Sequence, residues 1–168
     1  MDEKMLENLR AVADLIAKQL PKGIFLNVGG ETPNTMTIGW GGYSFYWGRP
    51  VFTAVVRPQR FTYPILERER AFTLSIPDGN QIEALRKAGT LSGREGDKFK
   101  AIGLKTQPGR SVDAPIVLGC PWQVECRVLA TTQMTLAKTD PRIASAHYPA
   151  NDFHTFFLGE IVECYQPD

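Results

Sequence analysis

Apolar side chains near the amino terminus recur at helical spacing, whereas most of the later chain has the pattern of short strands. Over residues 5–20 they return every three or four positions, which predicts an amphipathic helix that Pro21 ends. Short runs of β-branched and aromatic residues bounded by glycine predict strands after that point. The predicted strands cover residues 23–29, 35–38, 43–46, 50–57, 71–76, 121–130, 132–137 and 155–165.

Three short helices are predicted between the strands, because polar residues that favour N-caps precede runs of helix-forming residues. The predicted caps are Thr62, Asn80 and Ser92, and the last two open helices over residues 81–88 and 93–102. The segment 139–154 carries no comparable signal and is expected to be a loop.

The order of these elements argues against a doubly wound parallel sheet, because single helices interrupt about seven strands without regular β-α-β alternation. We predict a mainly β fold, an antiparallel barrel with peripheral helices. No internal repeat or linker is evident, so residues 1–168 are expected to form one domain. It would consist of an N-terminal helix to residue 20 and a barrel over residues 21–168.

Length and charge narrow the class of protein. The 168 residues carry 19 Lys and Arg against 18 Asp and Glu, a net charge of +1. A nucleic-acid partner is not expected, since binding it needs a basic excess, although the balance allows one local site for a small phosphate. No apolar run approaches the roughly 20 residues that span a bilayer, and the first residues resemble no signal peptide. We therefore expect a cytoplasmic protein without a membrane partner.

The three cysteines, Cys120, Cys126 and Cys164, are too few and too scattered for a disulfide framework. Six residues of strand at about 3.3 Å each would separate Cys120 from Cys126 by about 20 Å, too far for a disulfide or a shared metal ion. We expect buried thiols in a reducing cytosol and no metal site.

The first candidate for chemistry is the basic turn after the predicted strand 50–57. Arg57 and Arg60 flank the start of a helix, and Thr62 adds a hydroxyl group. Forked guanidinium groups and the free N–H groups of a helix start suit a phosphate dianion. The alternative is a solvated basic turn with an ordinary cap.

A glycine-rich segment forms the second candidate. Gly93 and Gly96 follow Ser92 at a predicted helix start, where glycine costs up to about 1 kcal/mol relative to alanine. Such a cost is tolerated where backbone approaches a ligand, and Lys98 could then reach a phosphate. The alternative is a surface turn with a charged face.

Two further segments carry groups that could contact a heterocycle. Asn34 and Thr37 offer an amide and a hydroxyl group, while Met36 and Trp40 offer polarisable or flat apolar surface. His154, at the start of the last strand, could donate to a ring or assist proton transfer near neutral pH. The alternatives are ordinary core residues and a structural histidine.

The order of these segments resembles the flavin reductase-like family of FMN-binding split barrels, with flavoredoxin-type proteins as a similar branch. The resemblance extends from about residue 20 to 163. It is carried by N-T-M-T-I-G-W-G at 34–41, W-G-R-P-V-F-T at 47–53, V-R-P-Q-R-F-T at 56–62, S-G-R-E-G-D-K-F at 92–99, V-D-A-P-I at 112–116 and F-H-T-F-F-L-G-E-I at 153–161. Gln59 departs from the Ser or Ala of many relatives, and 139–154 has no family motif.

The resemblance implies a six-stranded Greek-key split barrel that forms a homodimer, with FMN held noncovalently near the subunit interface. Along the isoalloxazine and ribityl chain it places Asn34, Met36, Thr37 and Trp40. Around the phosphate or ribityl oxygens it places Arg57, Pro58, Arg60 and Thr62, with Ser92, Gly93 and Lys98 on the far side. It brings His154 near the ring, as the candidate catalytic residue.

The implied function is an FMN-dependent oxidoreductase that accepts hydride from NADH or NADPH and passes electrons to flavin or another acceptor. One alternative is a flavoredoxin-type electron carrier that a protein partner reduces, without efficient NAD(P)H turnover. Another is a small-ligand barrel that has lost flavin. A flavin carries its own redox chemistry, so the first two need no acid–base pair or metal cluster in the sequence.

Overall fold

The computed structural model describes residues 3–167 and has the predicted combination of a large sheet with helices around it. The α-helices are α1 (Glu3–Gln19), α2 (Thr62–Glu69), α3 (Ile82–Thr90), α4 (Lys98–Ile102) and α5 (Pro141–His147). Short 3-10 helices span Leu20–Lys22, Gly93–Glu95 and Leu136–Lys138. The strands are β1 (Ile24–Val28), β2 (Asn34–Ile38), β3 (Gly41–Tyr46), β4 (Arg49–Val56), β5 (Ala71–Ile76), β6 (Thr106–Pro108), β7 (Pro115–Val117), β8 (Trp122–Gln133) and β9 (Thr155–Tyr165).

Seven of these strands form one antiparallel sheet in the order β2-β1-β5-β8-β9-β4-β3. β2, at one end of the order, also contacts β4 near the other end, so the sheet curls into a split barrel. The mainly β fold with peripheral helices is therefore confirmed. The sheet has seven strands, one more than the resemblance implied, and β6 and β7 pair separately as a ribbon.

Two apolar clusters hold the helices against the sheet. Leu9, Val12 and Ile16 recur on one face of α1 and join the main core, to which β1, β4, β5, β8 and β9 contribute. A second cluster centres on Phe25 and Phe99 and fixes α3 and α4. Burying each large apolar side chain contributes roughly 1.5–3 kcal/mol, so the second cluster anchors the segment that contains Ser92, Gly93 and Lys98.

Two predicted helix caps are wrong. α2 begins at Thr62 itself, and the Thr62 hydroxyl accepts a hydrogen bond from Asn34 Nδ2 at 2.8 Å instead of capping the helix. α3 begins after Gln81, while the Asn80 side chain bonds to Asp78. In both cases a tertiary or turn contact competes successfully for the polar side chain.

The predicted helix over residues 93–102 is divided. Ser92 accepts from the backbone N–H of Arg94, but this cap opens only a 3-10 turn. Gly96 adopts a φ of 131°, which breaks the helix. α4 then starts with a new cap, in which Asp97 accepts from the backbone N–H of Lys100.

The predictions for the last third of the chain also need correction. The two strands predicted over 121–137 are one strand, β8, which continues through two register shifts because it pairs with the long β9. Cys120 precedes this strand, and all three cysteines are buried and free. The expected loop 139–154 contains α5, which Asp140 caps and Pro141 opens.

Within residues 3–167, none of the helices has both the length and the apolar character that crossing a bilayer would require.

Candidate functional site

Two adjoining cavities bring together ten of the eleven residues proposed to bind a cofactor, and His154. The first, here called the basic cavity, has a volume of about 230 Å³ and contains Asn34, Met36, Arg60, Thr62, Ser92, Gly93 and Lys98. The second, the aromatic cavity, has a volume of about 250 Å³ and contains Met36, Thr37, Trp40, Arg57, Arg60 and His154. Met36 and Arg60 line both, so the two cavities adjoin at these side chains.

Pro58 is the one predicted residue that lines neither cavity. It lies in the turn after β4, where the backbone N–H of Arg60 donates to the carbonyl of Arg57 at 3.1 Å. Proline favours such turns because its φ is already set. Pro58 therefore acts on the site through the position of Arg60.

Three cationic side chains converge on the basic cavity, namely Arg60, Arg94 and Lys98. Arg94 lies with its guanidinium carbon 5.8 Å from the ring centre of Phe61 and donates to the carbonyl of Gln59 at 3.2 Å. Arg60 is exposed, whereas Lys98 is 4% exposed. The cavity therefore carries positive charge on its solvent side, from Arg60, and on its interior side, from Lys98.

Lys98 is the unusual member of this set, because a buried ammonium group is costly without an anionic partner. Its Nζ donates to the carbonyl of Ala88 at 2.6 Å, and no carboxylate within residues 3–167 pairs with it. Burial first, and then the positive charge of Arg60, lower the pKa of Lys98 to about 8. An anion in the basic cavity would supply the missing charge.

Close packing around Gly93 shapes the floor of the basic cavity. A Cβ atom at this position would lie 2.3 Å from the Phe61 ring and 2.6 Å from Asn34 Oδ1. Glycine is therefore needed here to let the 92–94 backbone approach β2 and the start of α2. The Asn34–Thr62 hydrogen bond joins these two elements at the same point.

Arg57 is held at the aromatic cavity and does not line the basic cavity. It forms an ion pair with Asp152 and donates to the carbonyl of His147 at 2.9 Å. Gln59 also donates to Asp152 at 2.8 Å. These bonds hold the pKa of Asp152 below its usual value and fix the loop after α5 against the turn after β4.

An aromatic group forms the other end of the site. The Trp40 ring, 44% exposed, lies 4.9 Å from the ring of His154 and 5.3 Å from that of His147. His154 Nδ1 lies 2.8 Å from the Tyr148 hydroxyl, which is also 3.4 Å from Met134 Sδ. Of the described residues, none makes a hydrogen bond to His154 Nε2, so this atom can serve a ligand.

His154 is neutral at physiological pH. Burial, followed by the positive charge of Arg57, lowers its pKa to about 4. The expected proton transfer near neutral pH is therefore not available from an imidazolium at this position. A neutral imidazole can still donate or accept one hydrogen bond.

Sequence reasoning missed four residues of this site. Arg94 follows Gly93 directly in the glycine-rich segment, and this position could have identified it as a site residue. Phe61 could have been identified in the same way, because it lies between Arg60 and Thr62. Tyr148 and Asp152 lie in the segment expected to be loop, and only the fold brings them to Arg57 and His154.

Together, the cavities can bind an elongated ligand with an anionic end and a flat end. Three cations and a buried hydroxyl group meet the anionic end, while Trp40, Met36 and a neutral His154 meet the flat end. The described residues contain no cluster of three His, Cys, Asp or Glu side chains suited to a metal ion.

Known proteins share this architecture. Flavoredoxin of Desulfovibrio vulgaris (Miyazaki F) has a TM-score of 0.69 and 27% identity, covering 87% of this chain and 69% of that one. The NADH:FAD oxidoreductase of Streptomyces globisporus C-1027 has a TM-score of 0.68 and 19% identity, covering 86% and 75%. An FMN-binding protein from Thermus thermophilus with bound p-hydroxybenzaldehyde has a TM-score of 0.68 and 24% identity, covering 86% and 70%.

An uncharacterized protein of Archaeoglobus fulgidus is 24% identical over 152 residues, which are 90% of this chain and 76% of that one. The family model described as the flavin reductase like domain matches residues 17–168. This match includes every element that lines the two cavities and nearly the whole chain. The chain therefore belongs to the flavin reductase-like family.

Proposed function

We propose that this chain binds FMN noncovalently and acts as an oxidoreductase that accepts hydride from NADH or NADPH and passes the electrons to flavin or another acceptor. The observation that carries the proposal is that the basic and aromatic cavities adjoin at Met36 and Arg60. A ligand with a phosphate at one end and a flat ring at the other matches this site.

The residues of the site fit FMN. Lys98 is a buried cation in need of an anion, and Gly93 lets the 92–94 backbone close on the basic cavity without a clash with Phe61. Arg60, Arg94 and Lys98 would hold the phosphate, with the hydroxyl groups of Thr62 and Ser92 beside it. Asn34, Met36, Thr37 and Trp40 would lie along the ribityl chain and the ring. When bound, FMN would supply reversible hydride and electron transfer.

His154 contributes a hydrogen bond at the ring end of the site. Its Nε2 is available, and Tyr148 holds the imidazole through Nδ1. Because its pKa is about 4 in the free protein, the imidazole is uncharged at neutral pH. Its contribution is thus orientation of the ring or of the hydride donor.

The similarity to the NADH:FAD oxidoreductase supports NADH or NADPH as the hydride donor. The second candidate is an electron carrier reduced by a protein partner, which the likeness to flavoredoxin favours. Both predict a yellow protein that releases flavin on heating. Anaerobic addition of NADH and NADPH separates them, since flavin that stays oxidised with both nucleotides would exclude the reductase and leave the carrier.

We also propose a homodimer that uses the β3 edge of the sheet. Tyr43, Phe45 and Tyr46 are 40%, 58% and 46% exposed on this strand. An exposed aromatic edge strand pairs readily with another chain, and a second copy would cover these rings beside Trp40. Light scattering during gel filtration tests the proposal, because a monomer at micromolar concentration would contradict it.

Arg60→Ala is expected to weaken FMN binding about tenfold while leaving riboflavin binding within about twofold. Hydrogen bonds to charged groups contribute roughly 1.5–3 kcal/mol, and the lower end applies because Arg60 is exposed. Fluorescence quenching of each flavin measures the two affinities. Riboflavin lacks the phosphate and is the internal control, so equal losses would show that Arg60 does not contact the phosphate.

FMN affinity is expected to fall as the pH rises above about 8. In the free protein the pKa of Lys98 is about 8, and a bound dianion would raise it. Binding then favours the protonated lysine, so the affinity is already about twofold lower at pH 8 and decreases by at most tenfold per pH unit above it. Fluorescence titrations from pH 7 to 9.5 test this, and an identical decrease for riboflavin would contradict it.

A further inference from the structure

An apolar cavity that the proposed flavin site does not use lies on the face of the sheet that points away from the main core. This cavity, here called the α5 cavity, has a volume of about 510 Å³ and lies between β3, β4, β9 and α5. Thr53 and Val55 line it from β4, whereas Ala54 between them belongs to the main core. Trp40 and Val55 also line the aromatic cavity, so the α5 cavity adjoins the proposed position of the flavin ring.

The helix α5, in the segment without a family motif, is fixed in place as one wall of this cavity. Tyr148 and Phe153 belong to an apolar cluster, and the centres of their stacked rings are 4.6 Å apart. The loop after α5 is held by the ion pair of Asp152 with Arg57. The cavity is therefore a preformed space, and such sites bind ligands without the cost of ordering a loop.

The lining of the α5 cavity is poor in charge. The described residues that line it include neither Asp, Glu, Lys nor Arg, and most of them are apolar or aromatic. Arg57 lies behind this wall, with its guanidinium carbon 5.2 Å from the centre of the Tyr148 ring, and is paired with Asp152. Ligands with phosphate groups, such as nicotinamide nucleotides and FMN, would find no forked cation there. The cavity therefore suits an uncharged, apolar ligand.

Two hydrogen-bond donors in the cavity are unused. Within the described part of the chain, neither the ring nitrogens of His147 nor the hydroxyl group of Thr53 take part in a hydrogen bond. The His147 ring lies 5.3 Å from that of Trp40. Thr53 lies two residues, or about 6.6 Å, from Val55 along β4. A flat ligand with one carbonyl oxygen toward each group would satisfy both donors.

We propose that the α5 cavity binds a small uncharged quinone, which accepts the electrons that leave the flavin. The inference rests on the proposed function and specifies the class of acceptor that it leaves open. A quinone is flat and apolar, and its two carbonyl oxygens match the donors of His147 and Thr53. In the step, the quinone gains one hydride from the reduced flavin and one proton from solvent, so that its carbonyl groups become the hydroxyl groups of a hydroquinone. The flavin is thereby oxidised by two electrons, and NADH or NADPH reduces it again.

The first test measures binding to the oxidised FMN-loaded protein, which cannot reduce the quinone, by isothermal titration calorimetry. The ligands are 1,4-naphthoquinone and 1,4-naphthoquinone-2-sulfonate, which share the ring system and differ by one negative charge. The uncharged quinone is expected to bind about tenfold more tightly or better, because burying an unpaired charge in an apolar cavity is costly.

Two variants of the cavity sharpen this test. Ile143→Arg places a cation at a half-exposed position of α5 and should reverse the preference, with about tenfold weaker binding of naphthoquinone and tighter binding of the sulfonate. His147→Phe keeps an aromatic ring beside Trp40 without the hydrogen bond and should weaken naphthoquinone binding about fivefold. Ile82→Arg, at an exposed position of α3 outside the cavity, is the matched control and should change neither affinity.

The second test follows the reoxidation by naphthoquinone of flavin that has been reduced anaerobically with stoichiometric dithionite. The rate should saturate with quinone concentration, and Ile143→Arg should lower it about tenfold at low concentration. Because dithionite replaces the nicotinamide nucleotide, the result does not depend on the hydride donor.

Tyr43 lines the cavity and lies on the β3 edge proposed for the homodimer, so the mass of each variant is measured by light scattering as well. If Ile143→Arg changes that mass but not the affinity for naphthoquinone, a second copy of the chain fills the cavity and the quinone assignment is overturned. A raised KM for NADH in the same variant, with unchanged quinone affinity, would assign the cavity to the nicotinamide donor and also overturn it.

The failures of the inference and of the proposed function are distinguishable. Equal affinity for the two naphthoquinones, or affinities that neither cavity variant changes, would overturn the inference and leave the flavin site in place. A protein that binds naphthoquinone in preference to the sulfonate but holds no FMN would support the cavity assignment and overturn the proposed function.

Discussion

Replacing Glu125 with alanine is expected to lower the free energy of unfolding by about 4 kcal/mol. The carboxylate accepts four hydrogen bonds in the interior, three from the 110–112 backbone and one from Tyr165. Each buried donor left without a partner costs roughly 1–3 kcal/mol, and water entering the space would offset part of the sum. Urea denaturation followed by circular dichroism measures the change.

Glu125→Gln should lower the free energy of unfolding by less, about 2 kcal/mol. The amide keeps one acceptor oxygen, but its NH2 group is a donor that faces backbone N–H groups. Glu7→Ala, at an exposed position of α1, removes a carboxylate without any buried donor and should change stability by less than 0.5 kcal/mol. If the free energy of unfolding of Glu125→Ala lies within about 1 kcal/mol of the wild-type value, the carboxylate does not hold the 110–112 turn.

The sheet could be predicted from the sequence because its strands carry their pattern locally. β5 and β9 were predicted with the boundaries that the structure shows, and α1 followed from the spacing of Leu9, Val12 and Ile16. The ribbon strands β6 and β7 were missed because three residues each are too few to show a period.

The candidate site was predictable where its residues lie next to one another in the chain. Gly93 and Lys98 came from one glycine-rich segment, and Arg60 came from one basic turn. Arg57 was expected at the phosphate, but Asp152, 95 residues away, pairs with it at the aromatic end. Such long-range pairing leaves no local signal, and the same applies to the buried carboxylate of Glu125 on β8.

Lys98→Met is expected to reduce FMN affinity about fiftyfold while leaving the stability of the free protein unchanged or higher. A buried charged hydrogen bond to phosphate contributes roughly 1.5–3 kcal/mol, and burial favours the upper part of that range. In the free protein, burial lowers the pKa of Lys98 to about 8, so folding disfavours the charge. Methionine fills a similar volume without that cost, which offsets the lost bond to Ala88.

The loss of FMN affinity and the unchanged or higher stability of Lys98→Met together distinguish a binding residue from a structural one. Fluorescence quenching gives the FMN affinity, and thermal unfolding without flavin gives the stability. Lys100→Met, an exposed position on the same helix, is the matched control and should change neither quantity. A Lys98→Met protein that unfolds earlier and still binds FMN normally would make Lys98 a structural residue, because its charge would then serve the fold and not the ligand. The expected combination, by contrast, means that the fold tolerates an unfavourable buried cation that FMN stabilises on binding.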